Sequence, residues 1–248
     1  MRESGRHHHC MAGSSICLCR ARLDLYNGTR VLYLTNNPIV TLSDGWLAQV
    51  MPQLQVLDVQ NISLSTITDN TFSQLLQLRL LFLTDNPLIA IHDDAFATNP
   101  LIGLWLEGCG LKQIPKAAQA EATLERLDMG SNLLTQLTAT NLTNLTQLLV
   151  LSIRSNPITV INKDAFARNQ RLKELYIGFL AGPAMPLSVF DPLMQLESLG
   201  CAADFFGRRM RLEDRHFEKL TRLTRLDLGF QRESVRFIAA WDKSFAQR

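Results

Sequence analysis

The apolar positions along this chain recur with a period far longer than that of a single helix or strand. The segments LRLLFLTDNPLIAIHDDAF (78–96) and LLVLSIRSNPITVINKDAF (148–166) agree at position after position. Both follow L-x-x-L-x-L-x-x-N-x-L, with a further apolar residue three on and a Phe five beyond that. Sliding this template along the chain places repeat starts at Thr29, Leu54, Leu78, Leu101, Leu124, Leu148, Leu172, Leu196 and Leu223. The spacings are 25, 24, 23, 23, 24, 24, 24 and 27 residues, a regularity that chance does not give.

Each column of the template has a physical reason. The L-x-L pairs, such as Leu81 and Leu83 or Leu104 and Leu106, alternate in and out as a short strand must. Stacking one repeat on the next sets these strands side by side in a parallel sheet. The Asn column (Asn37, Asn86, Asn132, Asn156, with Cys109 at the same place) sits where the chain leaves the strand. A buried amide there satisfies backbone groups of the bend that would otherwise cost about 1–3 kcal/mol each. Ile62 and Leu180 occupy the column without that capacity, so the second and seventh repeats are expected to turn differently. A Phe column (Phe72, Phe96, Phe166, Phe190, Phe217, with Leu47 and Leu142 substituting) predicts a spine on the opposite side. Ahead of it, Asp69, Asp93 and Asp164 read as caps of brief helical turns.

Composition changes this picture little. The chain has 248 residues, 46% hydrophobic and 19% charged, with a net charge of +2. That balance fits a folded domain and does not imply nucleic acid. Residues 204–248 are more basic, with eleven Lys/Arg against seven Asp/Glu. No uncharged apolar run reaches the roughly 18 residues a bilayer span needs, so no transmembrane segment is expected. The first residues lack the apolar core of a signal peptide. Five cysteines, Cys10, Cys17, Cys19, Cys109 and Cys201, cannot all pair within the chain.

The pattern LxxLxLxxNPLxxIxxxxF resembles the typical 24-residue class of leucine-rich repeats, common in animal receptor ectodomains and secreted proteins. The resemblance covers about 29–230, between an irregular segment 1–28 and a tail 231–248. It implies an α/β fold: a right-handed, horseshoe-shaped solenoid of about nine repeats, with a parallel sheet lining a concave protein-binding face. Cys10, Cys17 and Cys19 are similar to part of the N-terminal cysteine cap of that family.

Residues between the strand leucines point out of the concave face. Their central column reads Tyr33, Asp58, Phe82, Trp105, Asp128, Ser152, Tyr176, Gly200 and Asp227. Four aromatics at solvent-facing positions suggest an interaction surface, since Tyr and Trp are enriched where binding energy concentrates. The competing reading is that the rings pack on one another along the sheet. Flanking them, Glu107, Arg126, Arg154, Arg79 and Glu174 are candidates for specificity. Sequons for N-glycosylation occur at Asn27, Asn61, Asn141 and Asn144. The cluster His7–Cys10 with Cys17 and Cys19 is too irregular for a metal site, and no metal or cofactor is expected.

Phosphate loops, HExxH, GxSxG and kinase signatures are not found in the sequence. The reading is therefore a binding protein rather than an enzyme. Its partner is a protein ligand on the concave face, with no nucleic acid, and its place is extracellular or at the cell surface. The alternative is an intracellular, cytoplasmic scaffold or adaptor that uses the same face.

Overall fold

The computed structural model describes residues 27–37, 39, 42, 45–177, 186, 188–201 and 217–227. The histidine–cysteine cluster, Leu180, His216 and the tail 231–248 lie outside the described residues. Among the described residues, nine short strands form one parallel sheet: β1 (Val31–Tyr33), β2 (Val56–Asp58), β4 (Leu80–Phe82), β6 (Gly103–Trp105), β7 (Arg126–Asp128), β9 (Val150–Ile153), β11 (Glu174–Ile177), β12 (Ser198–Cys201) and β13 (Arg225–Asp227). Their spatial order is their chain order, so each repeat is one coil of a solenoid. Two small parallel ladders follow the return path: β3 (Thr66–Ile67) with β5 (Ala90–Ile91), and β8 (Gln136–Leu137) with β10 (Val160–Ile161).

The inward leucines explain the stacking. Leu57, Leu81, Leu104, Leu127, Leu151, Leu175 and Leu199 are register partners from strand to strand and are wholly or almost wholly buried. Each contributes about 1.5–3 kcal/mol by leaving water. The Phe spine forms in two pieces. Phe72 stacks on Phe96 at 6.3 Å, and Phe166, Phe190 and Phe217 follow one another at 6.3 and 6.4 Å. Between them the fourth coil has no Phe and uses α2 (Lys116–Ala120), an alanine-rich turn after Pro115 that buries Ala117 and Ala118. Leu142 and, in α1 (Trp46–Val50), Leu47 take the buried role expected of them.

The asparagine column does more than close its own bend. Asn86 accepts hydrogen bonds from the backbone N–H groups of Ile62 and Leu64 in the coil before it. It donates to the Val59 carbonyl of that coil and to Leu83 of its own, both at 2.8 Å. Asn132 does the same for Cys109, Leu111, Leu106 and Met129. Asn156 serves Leu134 and Met129 in the coil before it and Ile153 in its own. The second repeat does turn differently, as Ile62 suggests: Ser63 takes a positive φ of 64° where Pro87, Leu133 and Pro157 do not, while Asn86 of the next coil accepts the Ile62 and Leu64 N–H groups. Cys109 keeps its place with a thiol directed at the Leu83 carbonyl, 3.2 Å away, and burial pushes its pKa up to about 11.

The residue before this column adopts the left-handed region in six coils: Asn36, Asn61, Asp85, Gly108, Ser131 and Ser155, with φ between 50° and 67°. Asn, Asp and Gly tolerate that conformation better than bulky residues do. A second amide pair closes the far side of the coils. Asn99 donates to the carbonyls of Phe72 and Leu75, and Asn169 to those of Leu142 and Leu145. Asp69, Asp93 and Asp164 do not cap helices, because the chain there forms hydrogen-bonded turns. Thr71, Asn141 and Asn162 side chains accept the turn N–H groups instead. Among the described residues no helix is long and apolar enough to cross a membrane.

Two predictions follow from this interior. Replacing Asn132 with Ala strands the N–H groups of Cys109 and Leu111 and the Leu106 carbonyl, while the Met129 and Gly130 carbonyls keep Asn156 and the Gly108 N–H. It should cost at least about 3 kcal/mol in a urea melt. Glu121 is buried at the end of α2, and desolvation raises its carboxyl from 4.5 to about 7. The folded state thus holds a proton that the unfolded chain has released between those values. Stability should fall as pH rises through that window, by up to about 3 kcal/mol and less to the extent that water reaches the carboxylate, with the loss levelling off about one unit above pH 7. Glu121→Gln should melt higher than the parent at pH 8 and show a flatter pH profile across the same range.

Candidate functional site

The register of the sheet brings the central column into one row. Tyr33 lies beside Asp58, Asp58 beside Phe82, Phe82 beside Trp105, Trp105 beside Asp128 and Asp128 beside Ser152. Tyr176 continues the row between Ser152 and Gly200, and Asp227 follows Gly200. These alternate with the buried leucines, so the strand pleat sends them to the opposite face. Tyr33 is the most open of the rings, at 54% exposure. Phe82 and Trp105 are half-buried and stacked on each other at 4.2 Å with 16° between their planes. The reading that the rings pack on one another therefore holds for this pair, which still remains at the surface.

Glycines seat the rings. A Cβ on Gly103 would lie 2.6 Å from the far edge of the Trp105 indole, so the indole lies back over its own strand. A Cβ on Gly200 would lie 2.9 Å from the Tyr176 ring, which leans across onto the neighbouring strand. The Tyr176 hydroxyl donates to Glu174 at 2.8 Å. Gly103 is the one residue in its column (Val31, Val56, Leu80, Gly103, Arg126, Val150) without a side chain. Its position two residues before the tryptophan was the available signal for this seat.

The charged flank is equally ordered. Arg154 donates through Nη2 to both Glu107 carboxylate oxygens at 2.9 Å, and both side chains are largely covered, 22% and 12% exposed. They sit two coils apart, with Gly130 between them. A Cβ there would press on Arg154 and Asp128 at 3.1 Å, so a glycine lets the guanidinium cross the gap. Asp128 accepts from the Gly130 N–H at 2.8 Å. Burial, reinforced by the nearby Glu107 charge, holds its carboxyl above the ordinary range. Asp58 is 9% exposed and accepts from the backbone and side-chain amides of Gln60. Arg126 lies half-buried within the field of Glu174 and Glu125, and desolvation lowers its pKa. Arg79 is exposed at the edge of the sheet.

The sequons fall in different settings. Asn27 and Asn144 are exposed on turns. Asn141 uses its Oδ1 to accept from the Thr138 backbone and hydroxyl. Asn61 stands at the rim of the sheet and donates to Asn36 at 2.8 Å. Among the described residues no three His, Cys, Asp or Glu side chains gather as metal ligands would. Cys201 is a buried thiol whose pKa burial pushes up to about 12.

Comparison with known proteins places this architecture. The leucine-rich-repeat family model matches residues 27–101 and 122–179, more than half of the chain. Nephrocan of Mus musculus is 31% identical over 149 residues, covering 58% of this chain and 29% of its own length. The crystal structure of a TLR13–ssRNA13 complex superposes with a TM-score of 0.65 at 25% identity, covering 84% of this chain and 34% of that one. The chain thus spans about a third of the length of these relatives. With its nine stacked strands, its interior asparagines and these matches, the chain belongs to the leucine-rich-repeat family.

Proposed function

We propose that the chain is a protein-binding module whose concave row, from Tyr33 to Tyr176, is the contact surface, and that it works outside the cell as part of a receptor ectodomain or a secreted recognition protein. The observation that carries this reading is the alignment of Tyr33, Phe82, Trp105 and Tyr176 on one sheet face beside charged side chains held in fixed geometry. Rigid aromatic rings bordered by ordered polar groups are the usual anchors of protein interfaces. The extracellular part of the reading is supported by the repeat class and by sequons on exposed turns at Asn27 and Asn144. The TLR13 structure contains single-stranded RNA. Here the row holds Asp58 and Asp128, which repel phosphate, and a protein ligand fits better. An intracellular scaffold using the same face is the second reading, favoured by the two unpaired buried thiols Cys109 and Cys201.

The two places of action separate in one experiment. Expressed in animal cells behind a cleavable leader, the chain should be secreted and lose mass on treatment with an N-glycosidase. A product retained and degraded, or exported without glycans, would favour the intracellular reading. The surface itself is tested by Trp105→Ala combined with Tyr176→Ala. Loss of the Phe82–Trp105 stack costs about 0.5–1.5 kcal/mol. Melting should therefore fall by only a few degrees. Capture of partner proteins from animal-cell membranes or conditioned medium should be lost. A collapse of the melting temperature would mean that the rings serve the fold.

A further inference from the structure

The row has a chemical polarity that the reading above does not use. Across β2 to β11 the outward positions carry four carboxylates, on Asp58, Glu107, Asp128 and Glu174, against two guanidiniums, on Arg126 and Arg154. Arg154 is committed to Glu107 through both carboxylate oxygens. Arg126 stands in the field of Glu174 and Glu125. Asp58 and Asp128 form no ion pair among the described residues; Asp58 accepts from the amides of Gln60, and Asp128 from the Gly130 N–H and Ser152, in the field of an Arg154 already held by Glu107. The chain as a whole is slightly basic, so this acidity is local to the sheet face.

Geometry adds a second element. Asp58, Phe82, Trp105 and Asp128 are consecutive register partners, so the stacked rings lie between the two carboxylates. With strands about 4.8 Å apart, the carboxylate-bearing positions are separated by roughly 14 Å. An extended segment of four or five residues spans that distance at about 3.3 Å per residue. We propose that this face takes an extended protein segment that sets an apolar side chain on the Phe82–Trp105 stack and an arginine or lysine against Asp128 or Asp58. The inference rests on the protein-binding reading and names its ligand class. A basic side chain supplies the counter-charge that the row lacks. It meets a carboxylate already partly stripped of water, where opposite charges attract more strongly than at an open surface.

The test is selection of a random peptide library displayed on phage against the immobilised full chain, followed by binding measurements on synthetic copies of the winners. The inference expects sequences pairing Arg or Lys with a large apolar residue. Their affinity should fall at least tenfold with Asp58→Asn plus Asp128→Asn, and should weaken as salt rises. The two asparagines keep an acceptor for Gln60 and Gly130, and an unchanged melt of that variant separates charge loss from misfolding. Acidic or neutral winners that still depend on Trp105 would overturn this inference while leaving the binding face in place. No winners, or winners indifferent to Trp105→Ala with Tyr176→Ala, would overturn both. Tighter binding of a single-stranded RNA oligonucleotide than of any selected peptide, lost in the same double-alanine variant, would also overturn the inference.

Discussion

The amide side chain of a buried asparagine, shared between two coils, is the constraint on which the rest of this structure depends. A solenoid built from 24-residue turns must bend its backbone where each strand ends, and the bend leaves N–H and C=O groups facing a dry interior. Leucines stack the coils but cannot satisfy those groups. Asn86, Asn132 and Asn156 do so by reaching back one coil, accepting from its turn and donating to its strand end. The bond network thereby fixes the register between neighbours. Fixed register is what turns scattered residues 24 apart in sequence into a continuous row on the outer face of the sheet.

Much of this was legible in the sequence. The period located every strand of the sheet, and alternation within L-x-L assigned Tyr33, Asp58, Phe82, Trp105, Asp128 and Tyr176 to one face. Such features need only local geometry and a regular repeat. Features that arise between coils were harder to read. Ile62 marks a turn that differs, with Ser63 at positive φ, but the template treats each asparagine as serving its own turn, whereas Asn86 serves the turn before it as well. The left-handed column from Asn36 to Ser155 varies in residue type and shares only a tolerance of positive φ. Asn99 and Asn169 were marked by the shared Phe-Ala-x-Asn that ends their repeats, a match beyond the end of the template.

The surface illustrates the same division. A sequence column says which side chains face outward but not how they lie. Trp105 folds back over Gly103, and Arg154 crosses Gly130 to grip Glu107. In both cases a missing side chain lets a large one settle, which turns flexible groups into a fixed surface before any partner arrives. Preorganisation of this kind reduces the entropy lost on binding.

Residue-resolved hydrogen exchange by NMR tests the shared-asparagine account most directly. Leu64 and Leu111 lie outside the strands, yet their N–H groups bond to Asn86 and Asn132 of the following coil at 2.9 Å. The account predicts that these two amides exchange about as slowly as those of the central strands, and far more slowly than the exposed neighbours Ser63 and Gly110. Exchange of Leu64 and Leu111 at the pace of those neighbours would contradict it.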